Sequence, residues 1–354
     1  MRRAEVYRAQ CRRWCNAANP TECATLDISL LDQSILRPGE SAHDALAATI
    51  ASAQAAERLG YARFWVSEHH DSPIIAGSSP EVLLAAVGAA TSRIRLGSGG
   101  VMLPHYSPFK VAENFALLSN LYPDRIDLGV GRAPGADMRA AAALAIDGQP
   151  RFDRFPQQLR TLTEALWNEA YRPRVSPAPA ERIPVWLLGT SPDSAMLAAE
   201  LGLPYAIAMF INPRFDPRIA EYYRRHFRPS VAQPEPHVML AMNILCADSA
   251  DDATAMAHAA DLTYISFLRN PTAPQVCSPD EARSHRFSAE ERAFVQSVSG
   301  ARAVGTADTV HQRVLELAGR FGADEVLAVS NTFHHRDRLR SLELLADAFG
   351  AKAA

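Results

Sequence analysis

Residues Arg93 to Arg132 read RIRLGSGGVMLPHYSPFKVAENFALLSNLYPDRIDLGVGR. An apolar run through Ile94 and Leu96 ends in Gly97, Ser98, Gly99 and Gly100. A helical pattern follows from Ser107 to Asn120. A second apolar run, Ile126 to Val130, ends in Gly131-Arg132. Helical spacing between two short apolar runs predicts strand, helix, strand. Both strands end in small residues, and parallel α/β folds bind their ligands at the carboxyl ends of strands.

The same unit repeats on either side. Upstream, Thr25–Leu31 and Arg63–Val66 read as strands. The helix between them starts at Ser41, with Asp44 completing an approximate capping box, and stops at Gly60. Another helix, Glu81–Thr91, begins after Ser79-Pro80. Downstream, strands are expected at Pro184–Leu188, Tyr205–Met209, His237–Leu245 and Glu325–Val329. Helices are expected at Phe152–Trp167, Ser191–Leu201, Arg214–Phe227, Ser249–Tyr264, Ala289–Val298, Ala307–Phe321 and Arg336–Phe349. The small-residue-rich stretch Gly131–Gln149 reads as an active-face loop, and the proline-rich Tyr171–Ile183 as a loop excursion. From Ser266 to Glu290 the periodicity fails around Pro271, Pro274 and Pro279, which predicts an irregular insertion, a candidate lid. Eight strands, each followed by a helix, give a (β/α)8 TIM barrel over residues 25–350, with an insertion between strands seven and eight. A doubly wound open sheet is the alternative.

Composition narrows the function. The 354 residues are 48% hydrophobic and 21% charged, as in an ordinary globular protein. Net charge is −3, which gives no electrostatic case for nucleic acid or an anionic membrane. No apolar run is long enough to span a bilayer. The 5 cysteines are odd in number and spread over a large chain, so a reducing cytoplasm is expected rather than a disulfide framework. Cys11, Cys15 and Cys23 lack a nearby fourth ligand for metal. Residues 1–24 are Arg-rich without an apolar h-region, and read as a poorly ordered extension outside the fold, a frayed helix up to Asn16.

Candidate chemistry lies at the strand ends. Glu68-His69-His70 follows strand two. Neighbouring histidines on an extended segment point to opposite faces, so a shared metal is disfavoured. A structural hydrogen bond and a substrate or cofactor contact both stay open. Gly97–Gly100 lacks the GxGxxG spacing. It is either a tight turn or a floor that a flat ring approaches. Gly189-Thr190-Ser191, with Ser194, is either an ordinary hydroxyl N-cap or a phosphate cradle at a helix start. Arg132 is either that phosphate's partner or a solvated surface residue. No nucleophile elbow and no Cys/His pairing is visible, and a mouth of Gly, Ser, Thr, Met, Tyr and Phe suits chemistry done by an organic cofactor.

At these residues the sequence resembles the bacterial luciferase-like flavin monooxygenase family. The likeness spans Leu26 to about Phe349 and rests on the runs Phe64–His70, Arg95–Pro104, Arg125–Arg132 and Ala198–Pro204 taken together. It implies a TIM barrel that uses reduced FMN and O2 to oxidise a small organic substrate through a C4a-peroxyflavin. It further implies that His69 is the catalytic histidine and that Ser98, Gly99 and Gly100 underlie the ring with a cis Gly99-Gly100 peptide. Arg132, Thr190, Ser191 and Ser194 then fall where the FMN phosphate binds. Glu68, His70, Met102 and Phe210 line the substrate pocket, which Val101 and the 266–290 insertion help to shape. Gly131 stands where true luciferase has a reactive cysteine, which argues against light emission. A separate flavin reductase is implied, because no dinucleotide fingerprint is present, and so is a homodimer. The competing readings are a deazaflavin-dependent oxidoreductase on the same barrel and a flavin-binding barrel without turnover.

Overall fold

The computed structural model describes residues 15–16, 19–23, 26–132, 137–145 and 147–350. Eight strands form its centre: β1 (Asp27–Asp32), β2 (Arg63–Val66), β3 (Arg95–Ser98), β4 (Ile126–Gly131), β5 (Val185–Gly189), β6 (Tyr205–Ala208), β7 (Val238–Cys246) and β8 (Glu325–Val329). Each pairs in parallel with its neighbours. The ring closes where Glu325 of β8 lies opposite Asp27 of β1, and Val329 opposite Leu31. Strands covered on both faces are largely apolar, and β7 (VMLAMNILC) shows it, with Asn243 its one polar residue.

Around the ring lie α1 (Ala42–Arg58), α2 (Pro80–Ala90), α3 (Pro108–Leu121), α4 (Met138–Leu144), α5 (Phe155–Trp167), α6 (Pro192–Leu201), α7 (Pro217–His226), α8 (Ala250–Arg269), α9 (Pro279–Ser284), α10 (Ala289–Ser299), α11 (Ala307–Phe321) and α12 (His335–Phe349). Ser41 and Asp44 form the reciprocal capping box that starts α1. Gly202 and Gly322 stop α6 and α11 at φ +63° and +58°, where a Cβ would be penalised. Among the described residues no helix is long and apolar enough to cross a membrane.

The lumen holds Leu31, Trp65, Trp186, Ala206, Met239, Ala241, Leu327 and Val329. Trp65 and Trp186 meet edge to face at 5.3 Å. Below them, at the starts of the strands, sits a charged cluster. Arg63 reaches Asp127 at 2.7 Å and Glu325 at 3.0 Å, while Arg95 holds the other oxygen of Asp127 at 2.6 Å. This cluster occupies the lower end of the barrel, and a cavity opens at the upper end.

Several expectations are corrected. The first strand begins at Asp27, and Thr25 lies outside the described residues. Most of the expected helix up to Asn16 also lies outside them, and Cys15–Asn16 instead pairs antiparallel with Asn19–Cys23. The loop after β4 contains α4, started by the Asp137 side chain accepting from the backbone N–H groups of Arg139 and Ala140. The helix expected from Arg214 starts at Pro217, behind an Asp216 cap. The insertion is more regular than expected, since α8 runs on to Arg269 and α9 follows. Two short strands were not expected: Val101–Met102, which continues β3 and pairs with β4, and Ala303–Gly305, which pairs with β7.

Candidate active site

A cavity of about 1480 Å³ opens over the carboxyl ends of the strands. That exceeds the roughly 300–1,000 Å³ of an ordinary small-molecule pocket, so a cofactor and a substrate can share it. Of the expected residues, Glu68, His69, His70, Gly99, Gly100, Met102, Arg132, Thr190, Ser191, Ser194 and Phe210 all line it. Two do not. Ser98 is fully buried and its hydroxyl donates to the Gly129 carbonyl at 2.7 Å, so it is spent on joining β3 to β4. Val101 turns into the core between strands and helices.

The peptide between Gly99 and Gly100 is cis. The glycines of this run are required by the protein itself. A Cβ on Gly97 would come within 2.5 Å of Trp65 Nε1, one on Gly99 within 2.6 Å of Leu31 Cδ1, and one on Gly100 within 2.8 Å of the Gly129 carbonyl. Packing behind the floor thus accounts for the missing side chains, and the peptide face is left toward the cavity.

His69 and His70 both line the cavity but take different partners, as opposite-facing neighbours should. His69 Nε2 lies 3.4 Å from Gln33 Nε2, and Gln33 Oε1 in turn accepts from Asn331 at 2.6 Å. Burial pushes the His69 imidazole below its ordinary pKa, with Glu68 opposing and His70 adding to the effect. Its ring is therefore neutral at pH 7, able to donate at one nitrogen and accept at the other. His70 Nε2 instead lies 2.8 Å from Glu68 Oε1.

Glu68 is 2% exposed. Its Oε1 also accepts from the Tyr106 hydroxyl at 2.9 Å, and its Oε2 from the Met102 backbone N–H at 3.0 Å. Burial, with Glu68 beside it, raises the Tyr106 pKa, so that hydroxyl stays protonated as a donor. Glu68 was expected as a substrate contact, but its oxygens are already engaged.

On the opposite wall, Ser191 caps α6. Ser194 donates to the Ser191 carbonyl at 2.7 Å and lies 2.9 Å from the Tyr205 hydroxyl, so its oxygen is committed within the cap. Arg132 lines the same cavity and has no ion-pair partner among the described residues. The other cavity arginines differ: Arg302 pairs with Asp261, Arg139 with Asp137 and Asp71, and Arg37 with Glu40. Asp193, in the first turn of α6, adds negative charge to the cavity lining.

Phe267 and Cys277 of the 266–290 insertion, with the flanking Tyr264 of α8 and Phe294 of α10, supply a further part of the wall. Sequence reasoning missed Gln33, Asn331 and Tyr106. Gln33 directly follows β1 and Asn331 lies just past β8, so position at a barrel strand end was the usable signal. Tyr106 carried none, because nothing local announces that its hydroxyl reaches Glu68.

With this geometry in view, the comparisons decide the family. The model of the luciferase-like monooxygenases matches residues 27–325. The chain belongs to the luciferase-like monooxygenase family. It is 43% identical to the YwcH protein of Bacillus subtilis (strain 168), over 92% of this chain and 99% of that protein. It is 38% identical to a luciferase-like monooxygenase of Escherichia coli (strain K12), over 91% and 97% of the two chains. The crystal structure of apo-MsnO8 superposes with a TM-score of 0.83 at 36% identity, covering 92% of this chain and 99% of that one. Luciferase-like monooxygenases use O2 and a flavin.

Proposed function

We propose that this enzyme binds reduced FMN in the cavity and uses it with O2 to oxygenate a small organic substrate. The observation that carries the reading is Arg132, the cavity arginine without an ion-pair partner among the described residues, which lines the same cavity as Thr190 and Ser191 at the start of α6. A phosphate takes such a place, through a charge-assisted bond and the helix start. Arg132, with the Thr190 and Ser191 hydroxyls, would hold the phosphate, and Gly99-Gly100 would floor the ring. Bound reduced flavin supplies the electrons that activate O2. The neutral His69 imidazole then holds or passes a proton beside the reacting atoms, with Gln33 and Asn331 fixing its ring. Met102, Phe210 and the aromatic residues of the insertion shape an apolar substrate space.

The reductant would come from a separate flavin reductase. A homodimer fits exposed apolar side chains on α2 and α3: Val82 is 69% exposed, Leu117 51% and Leu121 54%. Equilibrium titration tests the cofactor. FMN should bind at micromolar concentration, and a deazaflavin coenzyme should not. Deazaflavin binding without FMN binding would transfer the barrel to the competing oxidoreductase reading.

A further inference from the structure

We propose that Glu68 is a positioning residue that sets the distance between the histidine pair and the floor of the cavity. Its carboxylate joins three segments. It belongs to the segment that follows β2, which also carries His69 and His70. Through Oε2 it holds the backbone N–H of Met102 at 3.0 Å, two residues beyond the Gly99-Gly100 peptide. Through Oε1 it takes the Tyr106 hydroxyl and His70 Nε2. Met102 passes the constraint on: it pairs with Gly131 at the end of β4, and a Cβ on Gly131 would stand 3.0 Å from Met102 Cε. The strand end that leads to Arg132 is therefore registered to the same carboxylate.

The chemistry of these partners requires a carboxylate. A backbone N–H, a protonated tyrosine and a ring N–H all donate, so the residue between them must accept on both oxygens. An ionised acid does so, and it also fixes the His70 tautomer. With a proton held on Nε2 toward Glu68, a ring that carries one proton has Nδ1 as its acceptor. Glutamine has the same shape but presents one acceptor and one NH2 donor. With Tyr106 and His70 Nε2 both donating, it can satisfy the Met102 side or their side, and not both at once.

The test uses the full-length protein without cofactor. Ring ¹⁵N NMR of the native protein should show a proton on His70 Nε2, and hydrogen exchange should show a slowly exchanging Met102 amide. In E68Q one of these two signatures should be lost while Y106F keeps both. An Nδ1–H tautomer in the native protein, or an E68Q protein that keeps both signatures, overturns the proposal. The link to the floor rests on the flavin reading, so reduced-FMN affinity is measured alongside. E68Q should weaken it roughly tenfold, as one misdirected hydrogen bond would, and unchanged affinity would refute that link. If the native protein binds no FMN, the flavin reading fails, while the NMR signatures still decide whether Glu68 is the clamp.

Discussion

Replacing Arg63 with methionine should destabilise the protein by about 3–5 kcal/mol, the usual cost of removing one partner from a buried ion pair. Asp127 and Glu325 are 0% and 1% exposed, and Arg63 bridges them at the floor of the barrel. Desolvation works against the Arg63 charge, but Asp127 and Glu325 outweigh it and raise its pKa, so it stays cationic. Its guanidinium also lies over the Trp186 ring, 5.1 Å from the centroid. Methionine would fill much of the volume and leave two buried carboxylates short of a counter-charge. Arg95 and His237 would compensate in part, since they already reach Asp127 and Glu325. Thermal melts of the native and variant proteins check this. A clear drop in the midpoint is expected, with Arg63→Lys intermediate because it keeps the charge but not the planar fork. An unchanged midpoint would show that the cluster does not hold the barrel together.

Replacing Arg132 with alanine should weaken FMN binding by about 1.5–3 kcal/mol, the range of a hydrogen bond to a charged group, or roughly 10- to 150-fold in Kd. Stability should not change, because the side chain is exposed and has no ion-pair partner among the described residues to lose. Riboflavin, which lacks the phosphate, supplies the control. Its affinity should be the same for native and variant protein. An equal loss for both flavins would mean that Arg132 shapes the cavity rather than binding phosphate.

The barrel was legible because its signals are local. Arg63–Val66, Glu325–Val329 and Ala307–Phe321 have the bounds that sequence reading assigned them, being short apolar runs or an amphipathic helix with clear ends. The insertion was harder. Pro279 looked like a helix breaker, yet Ser278 and Glu281 form a capping box around it and start α9 with proline in the first turn. That motif was present in the sequence and unread. Ser98 failed for another reason. It sits in a glycine run at a strand end, and only the close approach of β4, with Gly129 against the Ser98 carbonyl, shows that its hydroxyl faces the neighbouring strand. The Glu68 contacts to Tyr106 and Met102 join residues more than thirty positions apart, and no spacing rule reaches that far.

In the function proposed above, the upper cavity holds reduced flavin and controls its encounter with O2. Stopped-flow mixing of the anaerobic complex of protein and reduced FMN with oxygenated buffer tests it most directly. Flavin absorbance should recover more slowly than for free reduced FMN, through a transient spectrum that differs from both the reduced and the oxidised forms. Recovery at the free-flavin rate, with no transient, would contradict the account.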